Sequence, residues 1–88
     1  MVSYTLVITK QAEKESRNIE SAGLRSKVDS LLRLISENPF SQYPPYEKLG
    51  GNLRGYYSRR INIQHRLVYQ VFEEEKIVKI LRMWTHYE

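Results

Sequence analysis

The sequence predicts an α+β domain in which two N-terminal helices pack on one face of a mainly antiparallel four-stranded sheet, in the order β-α-α-β-β-β. A short β-branched segment at the start is followed by two stretches with apolar residues at helical spacing. The last third alternates with period two, and the charged run Glu73-Glu74-Glu75-Lys76 joins two of its segments as a hairpin turn would. Eighty-eight residues, 41% of them hydrophobic, accommodate one domain, 1–88, built on a single core.

Ser3 to Ile8 reads as the first strand, with Tyr4, Leu6 and Ile8 on one face. Thr9 sits where an N-cap belongs, ahead of a helix to about Ser21 with Glu13 and Glu15 near its positive end. Its apolar stripe (Ala12, Ile19, Ala22) is thin, which predicts a largely solvated cover. Gly23 breaks it. Leu24, Val28, Leu31, Leu32 and Ile35 then recur at helical spacing, and Pro39 disfavours helical geometry at Asn38 and ends that second helix. Residues 38–54 hold all three prolines and read as one long loop, of the kind that is usually functional. Three strands follow: Gly55 to Ile61, His65 to Phe72, and Ile77 to about Tyr87. Leu67, Tyr69 and Val71 should face the helices together with Tyr57 and Arg59, leaving Tyr56, Ser58, Arg60 and Arg66 on the open face. In the last strand both residue sets are apolar, so alternation does not orient His86.

Residues 47–66 carry five cations (Lys48, Arg54, Arg59, Arg60, Arg66) against one anion (Glu47), a local excess equal to the +4 of the whole chain. Basic charge concentrated this way is the footprint of a surface that meets phosphates. With no cysteine there is no disulfide framework or thiolate metal site. His65 and His86 lack metal-ligand spacing, so no metal and no cofactor is expected. Nothing at the start reads as a signal peptide and no stretch is long and apolar enough for a membrane span, which leads to the expectation of a cytoplasmic protein with no membrane association.

The open face would bring together Arg60 and Arg66, bordered by a loop bearing Glu47 and by the chain end His86-Tyr87. A carboxylate base, an imidazole acid and guanidinium groups suffice for metal-free RNA cleavage through the ribose 2′-hydroxyl, with Arg matching phosphate oxygens bidentately. Tyr43, Tyr46, Tyr56, Tyr57 and Tyr87 are suited to stacking unpaired bases. The same residues also serve as ordinary strand cations and packing tyrosines. Pattern alone therefore establishes a small basic α/β domain suited to nucleic acid.

The segment N-L-x-G-Y-Y-S-R-R-I-x-x-x-H-R-L-V-Y (Asn52 to Tyr69), with a later His86-Tyr87, the N-P-F of Asn38 to Phe40 and the proline-bearing loop with its Glu, resembles the Txe/YoeB toxins, relatives of the RelE ribonucleases. The likeness covers essentially residues 35–87. It implies a RelE-like fold and an endoribonuclease toxin that cleaves messenger RNA in the ribosomal A site. It also implies a cognate YefM-type antitoxin as partner, with a homodimer left open. Carried over by position, Glu47 is the general base, His86 the general acid, and Arg66 the principal transition-state cation assisted by Arg60. Tyr87 orients substrate; Tyr56, from its own place on the open face rather than from the resemblance, is expected to be a further substrate contact. Gly50 stands where similar proteins can carry a lysine, so that substrate contact is either missing or supplied by neighbouring Lys48. Glu88 follows the tyrosine on which similar proteins often end. Two rivals remain at this stage: a ParE-like gyrase-binding toxin of the same architecture, and a noncatalytic RNA- or protein-binding module.

Overall fold

The computed structural model describes residues 3–43, 45–50 and 55–86, the last two as backbone. The elements run β1 (Thr5–Ile8), α1 (Lys10–Ser21), α2 (Arg25–Glu37), β2 (Tyr46–Lys48), β3 (Tyr56–Arg60), β4 (His65–Phe72) and β5 (Ile77–His86). They form one five-stranded sheet in the order β1-β5-β4-β3-β2, with β1 parallel to β5 and every other pair antiparallel. The α+β class is as expected, but there are five strands rather than four. The added strand, β2, lies inside the stretch read as a loop. It has three residues, too few to show a period, and it follows Pro45, whose missing N–H is tolerated at the start of an edge strand.

Local chemistry sets the helix ends. Thr9 caps α1, its Oγ1 accepting from the Ala12 amide at 3.1 Å. At the other end the Leu24 amide donates to the Ile19 carbonyl at 2.9 Å and that of Gly23 to Glu20 at 3.1 Å. This turn needs the positive φ of 73° that glycine adopts without penalty. Both helices cover one sheet face. Ala12 and Ile19 of α1 and Val28, Leu31 and Ile35 of α2 pack with Leu67, Tyr69, Val78, Ile80 and Met83 into the core. As expected of so thin a stripe, most of α1 is exposed; within it Glu15 is buried beside Ala12 and Ile19, while Ala22 is exposed. No helix among the described residues is long and apolar enough to cross a membrane.

Alternation along the central strands sorts the two faces largely as expected. Leu67, Tyr69 and Arg59 are buried on the helix side, while Arg60 is exposed and Arg66 half-buried on the other. Ser58 and its cross-strand partner Val68 are exceptions, both buried on the nominally open face.

Candidate active site

The site is built across β2, β3 and β4. Asn62 shapes the turn between β3 and β4, its Oδ1 accepting from the amides of Gln64 at 2.9 Å and His65 at 2.7 Å. The resulting register sets Arg60 opposite Arg66. Like charges directly opposite on paired strands are destabilising, so this pairing breaks a local rule in the way functional sites do. On the next pair, Glu47 stands opposite Ser58. Arg66 reaches diagonally over β3, donating through Nη1 to Ser58 Oγ at 3.4 Å and forming an ion pair with Glu47 Oε1. The Arg66 side chain is 17% exposed and that of Glu47 63%, so the guanidinium is set into the sheet while the carboxylate remains open to a ligand.

These residues line an open depression of about 740 Å³, walled also by Arg60, Ile63 and, from α2, Lys27. Its described walls carry three cations and one carboxylate, an arrangement that attracts an anion and leaves a base beside it. It adjoins a more apolar groove of about 480 Å³ between α2 and the end of β3, lined by Leu31 and Leu34, with which it shares Lys27, Arg60 and Ile61.

Glu47 is held in place from beneath. Arg59, 1% exposed, donates through Nε to Tyr69 Oη at 3.0 Å and through Nη2 to the carbonyls of Pro39 at 3.1 Å and Ser41 at 2.8 Å. Tyr69 Oη in turn donates to the Pro39 carbonyl at 2.9 Å. The Arg59 guanidinium also lies 5.2 Å from the centre of the Tyr46 ring, directly across the ladder. Tyr57 meets Phe40 and Tyr46 edge to face at 5.4 and 5.7 Å between centroids, and Phe40 and Tyr46 pack tilted at 6.1 Å, closing the cluster. A buried cation thus gathers the carbonyls that begin the proline-bearing segment, and aromatic packing holds Tyr46, the neighbour of Glu47. Burial pushes the Tyr57 and Tyr69 phenols above their ordinary range, and for Tyr69 it outweighs the opposing charge of Arg59.

Residues 13–87 match the YoeB-like toxin of bacterial type II toxin-antitoxin systems. The chain belongs to this family. A YoeB toxin of Synechocystis is 37% identical over 65 residues, 74% of this chain and 73% of the relative. The YoeB/ParE toxin structure from Agrobacterium tumefaciens superimposes with a TM-score of 0.84 at 29% identity, covering 94% of this chain and 99% of that one. Staphylococcus aureus YoeB, 34% identical, has been solved as a dimer (TM-score 0.81, covering 98% and 100%) and in complex with YefM (TM-score 0.79, covering 96% and 98%).

In this YoeB-family chain the structure brings Glu47, Arg60 and Arg66 to one pocket and places Tyr56 on the same face of β3, one step beyond Ser58. It does not bring Lys48 there. Strand alternation turns Lys48 to the other face, where it lines a separate depression with Tyr46 and Gln42. His86 ends β5 as the register partner of His65, so its backbone lies at the end of β4 that carries Arg66. The His86 side chain and all of Tyr87 lie outside the described residues. Lys27 and Ser58 were not singled out by the sequence. Lys27 is one of several cations off the α2 stripe and Ser58 a small polar residue in a strand, so neither carries a signal until the sheet is assembled.

Proposed function

We propose that the protein is an endoribonuclease toxin of a toxin–antitoxin system, cleaving messenger RNA on the ribosome without a metal. The observation that carries this reading is the Glu47–Arg66 pair laid across Ser58, in a pocket whose other described charges, Arg60 and Lys27, are cations. In the resting protein the carboxylate is engaged by Arg66. An incoming phosphodiester offers that guanidinium a second anion, so Arg66 shifts to a phosphate oxygen and Glu47 is left to accept the proton of the adjacent 2′-hydroxyl. The 2′-oxygen then bonds to phosphorus while Arg66 and Arg60 stabilise the charge building on the phosphoryl oxygens. The bond from phosphorus to the 5′-oxygen breaks, and His86 supplies the proton to the leaving oxygen. The products are a 2′,3′-cyclic phosphate and a 5′-hydroxyl, and the proton taken by Glu47 balances the one given by His86. Tyr87 orients the substrate, as the family resemblance implies, and Tyr56 on the open face offers a ring for an unpaired base.

A YefM-type antitoxin as partner is supported by the YoeB–YefM complex of the Staphylococcus relative, and self-association by its dimer. The shared edge between the catalytic depression and the apolar groove along α2 suits a segment that covers Arg60 while burying apolar side chains. The testing experiment is a toeprint on translating ribosomes. Cuts confined to ribosome-bound message and absent with Glu47→Gln support the reading. Intact message together with inhibited DNA gyrase selects the ParE-like alternative instead.

A further inference from the structure

We propose that Glu15 of α1 is a positioning residue for the C-terminal end of β5, fixing the path by which the strand delivers His86 to the Arg66 end of β4. This rests on His86 being the general acid. Glu15 is 5% exposed, and its carboxylate gathers four donors from three places. Oε1 accepts from the backbone amides of Met83 at 2.7 Å and Trp84 at 3.0 Å, and Oε2 accepts from Arg82 Nε at 2.6 Å and Gln11 Nε2 at 2.9 Å. The ladder shows why amides in mid-strand are available to a helix. Arg66 pairs with Thr85, Val68 with Arg82 and Tyr69 with Ile80, so β5 holds two more residues than β4 over this span. Such bulges bend a strand and re-aim the residues beyond them. Here α1 catches the bent backbone: Glu15 takes the two amides, and Thr9 Oγ1 donates to the Leu81 carbonyl at 3.3 Å. Beyond the anchor, the Trp84 ring stacks on His65, with centroids 3.7 Å apart, and His65 is the register partner of His86. Burial alone would raise the Glu15 pKa, yet the bonds from Gln11, the two amides and Arg82 hold it below the ordinary value, so the carboxylate is charged where it binds.

The test combines residue-resolved amide exchange with cleavage kinetics on programmed ribosomes, using the full chain. In the wild type the Met83 and Trp84 amides should exchange slowly. Glu15→Ala should free those two amides and lower kcat by about 10²-fold, the scale of an ångström-sized misplacement, while KM for ribosomes stays near wild type. Glu15→Gln retains an oxygen for both amides and should keep their protection and most of kcat. Arg82→Met, which removes the ion pair alone, should change neither. Fast exchange of both amides in the wild type overturns the anchoring whatever the activity, and a folded Glu15→Ala with freed amides and wild-type kcat overturns its catalytic consequence. Should Glu15→Ala fail to fold, Glu15→Gln decides: protected amides with lost activity would overturn the proposal, and protected amides with retained activity would support it. Slow amides in a wild type that cuts no message would refute the ribonuclease reading and leave the anchor standing.

Discussion

Replacing Tyr69 by Phe removes one oxygen from the centre of the network that holds the Glu47 segment. The ring is fully buried, so the packing is kept and the change isolates the hydroxyl. That hydroxyl accepts from Arg59 Nε at 3.0 Å and donates to the Pro39 carbonyl at 2.9 Å. The carbonyl keeps a second donor in Arg59 Nη2 at 3.1 Å, so the larger loss falls on Nε, a buried donor on a cation. Losing a hydrogen bond from a charged, buried donor costs about 1.5–3 kcal/mol. For a domain of this size about 2 kcal/mol lowers the midpoint of thermal unfolding by roughly 8–16 °C. Circular dichroism melts at neutral pH read it directly. Because burial raises the Tyr69 pKa, the neutral phenol is favoured by the fold, so its contribution is complete below the unfolded value of about 10 and declines as pH rises beyond it. Tyr69→Phe should therefore also flatten part of the alkaline limb of stability. A midpoint within about 2 °C of wild type, under roughly 0.5 kcal/mol, would show that the hydroxyl does not hold the segment.

At the acid end the sign reverses. The Glu15 pKa lies below its ordinary 4.5, so its contribution is present above that value and lost as pH falls from there through the folded-state value; a urea series over this range should show a shallower loss for Glu15→Gln. Leu31, 8% exposed at the centre of the α2 stripe, should cost about 2–5 kcal/mol as Leu31→Ala, whereas Arg66→Ala should abolish cleavage with little change in denaturant midpoint. Equal destabilisation by the two would make Arg66 a structural residue. Arg60→Glu should weaken antitoxin binding and toxicity together, with the affinity loss shrinking at high salt in calorimetric titrations. An antitoxin that binds this variant as tightly as wild type would place the docking surface elsewhere.

The parts of the fold that follow a period were legible from the residues. The α2 stripe, the Thr9 cap, the Gly23 break and the alternation placing Arg59 inward and Arg66 outward all recur in the structure. What was not legible depends on contacts distant in sequence. β2 is three residues whose strand character comes from pairing with β3, not from its own composition. Lys48 looked like a neighbour of Glu47 because adjacency in sequence is visible, whereas a strand sends adjacent side chains to opposite faces. Glu15 falls on the thin α1 stripe between Ala12 and Ile19, but the groups that pair a buried carboxylate there, Arg82 and the Met83 and Trp84 amides, lie 67 to 69 residues away, which no local pattern announces. Arg59 carries the same lesson: a cation in an apolar register becomes intelligible once the carbonyls of Pro39 and Ser41 are found around it.

The central claim is that Glu47, Arg66 and His86 make the RNA's own 2′-hydroxyl the nucleophile. It is tested most directly by a ribosome-bound message carrying a single 2′-deoxyribose at the cut site. The account predicts that this message is bound but left whole, that its all-ribose counterpart is cut to a 2′,3′-cyclic phosphate end, and that Glu47→Gln and His86→Gln each slow that cut on the order of 10² to 10⁴-fold. Cleavage of the deoxy message at the same position would contradict it, because the attacking oxygen would then come from elsewhere and Glu47 would have no proton of the ribose to take.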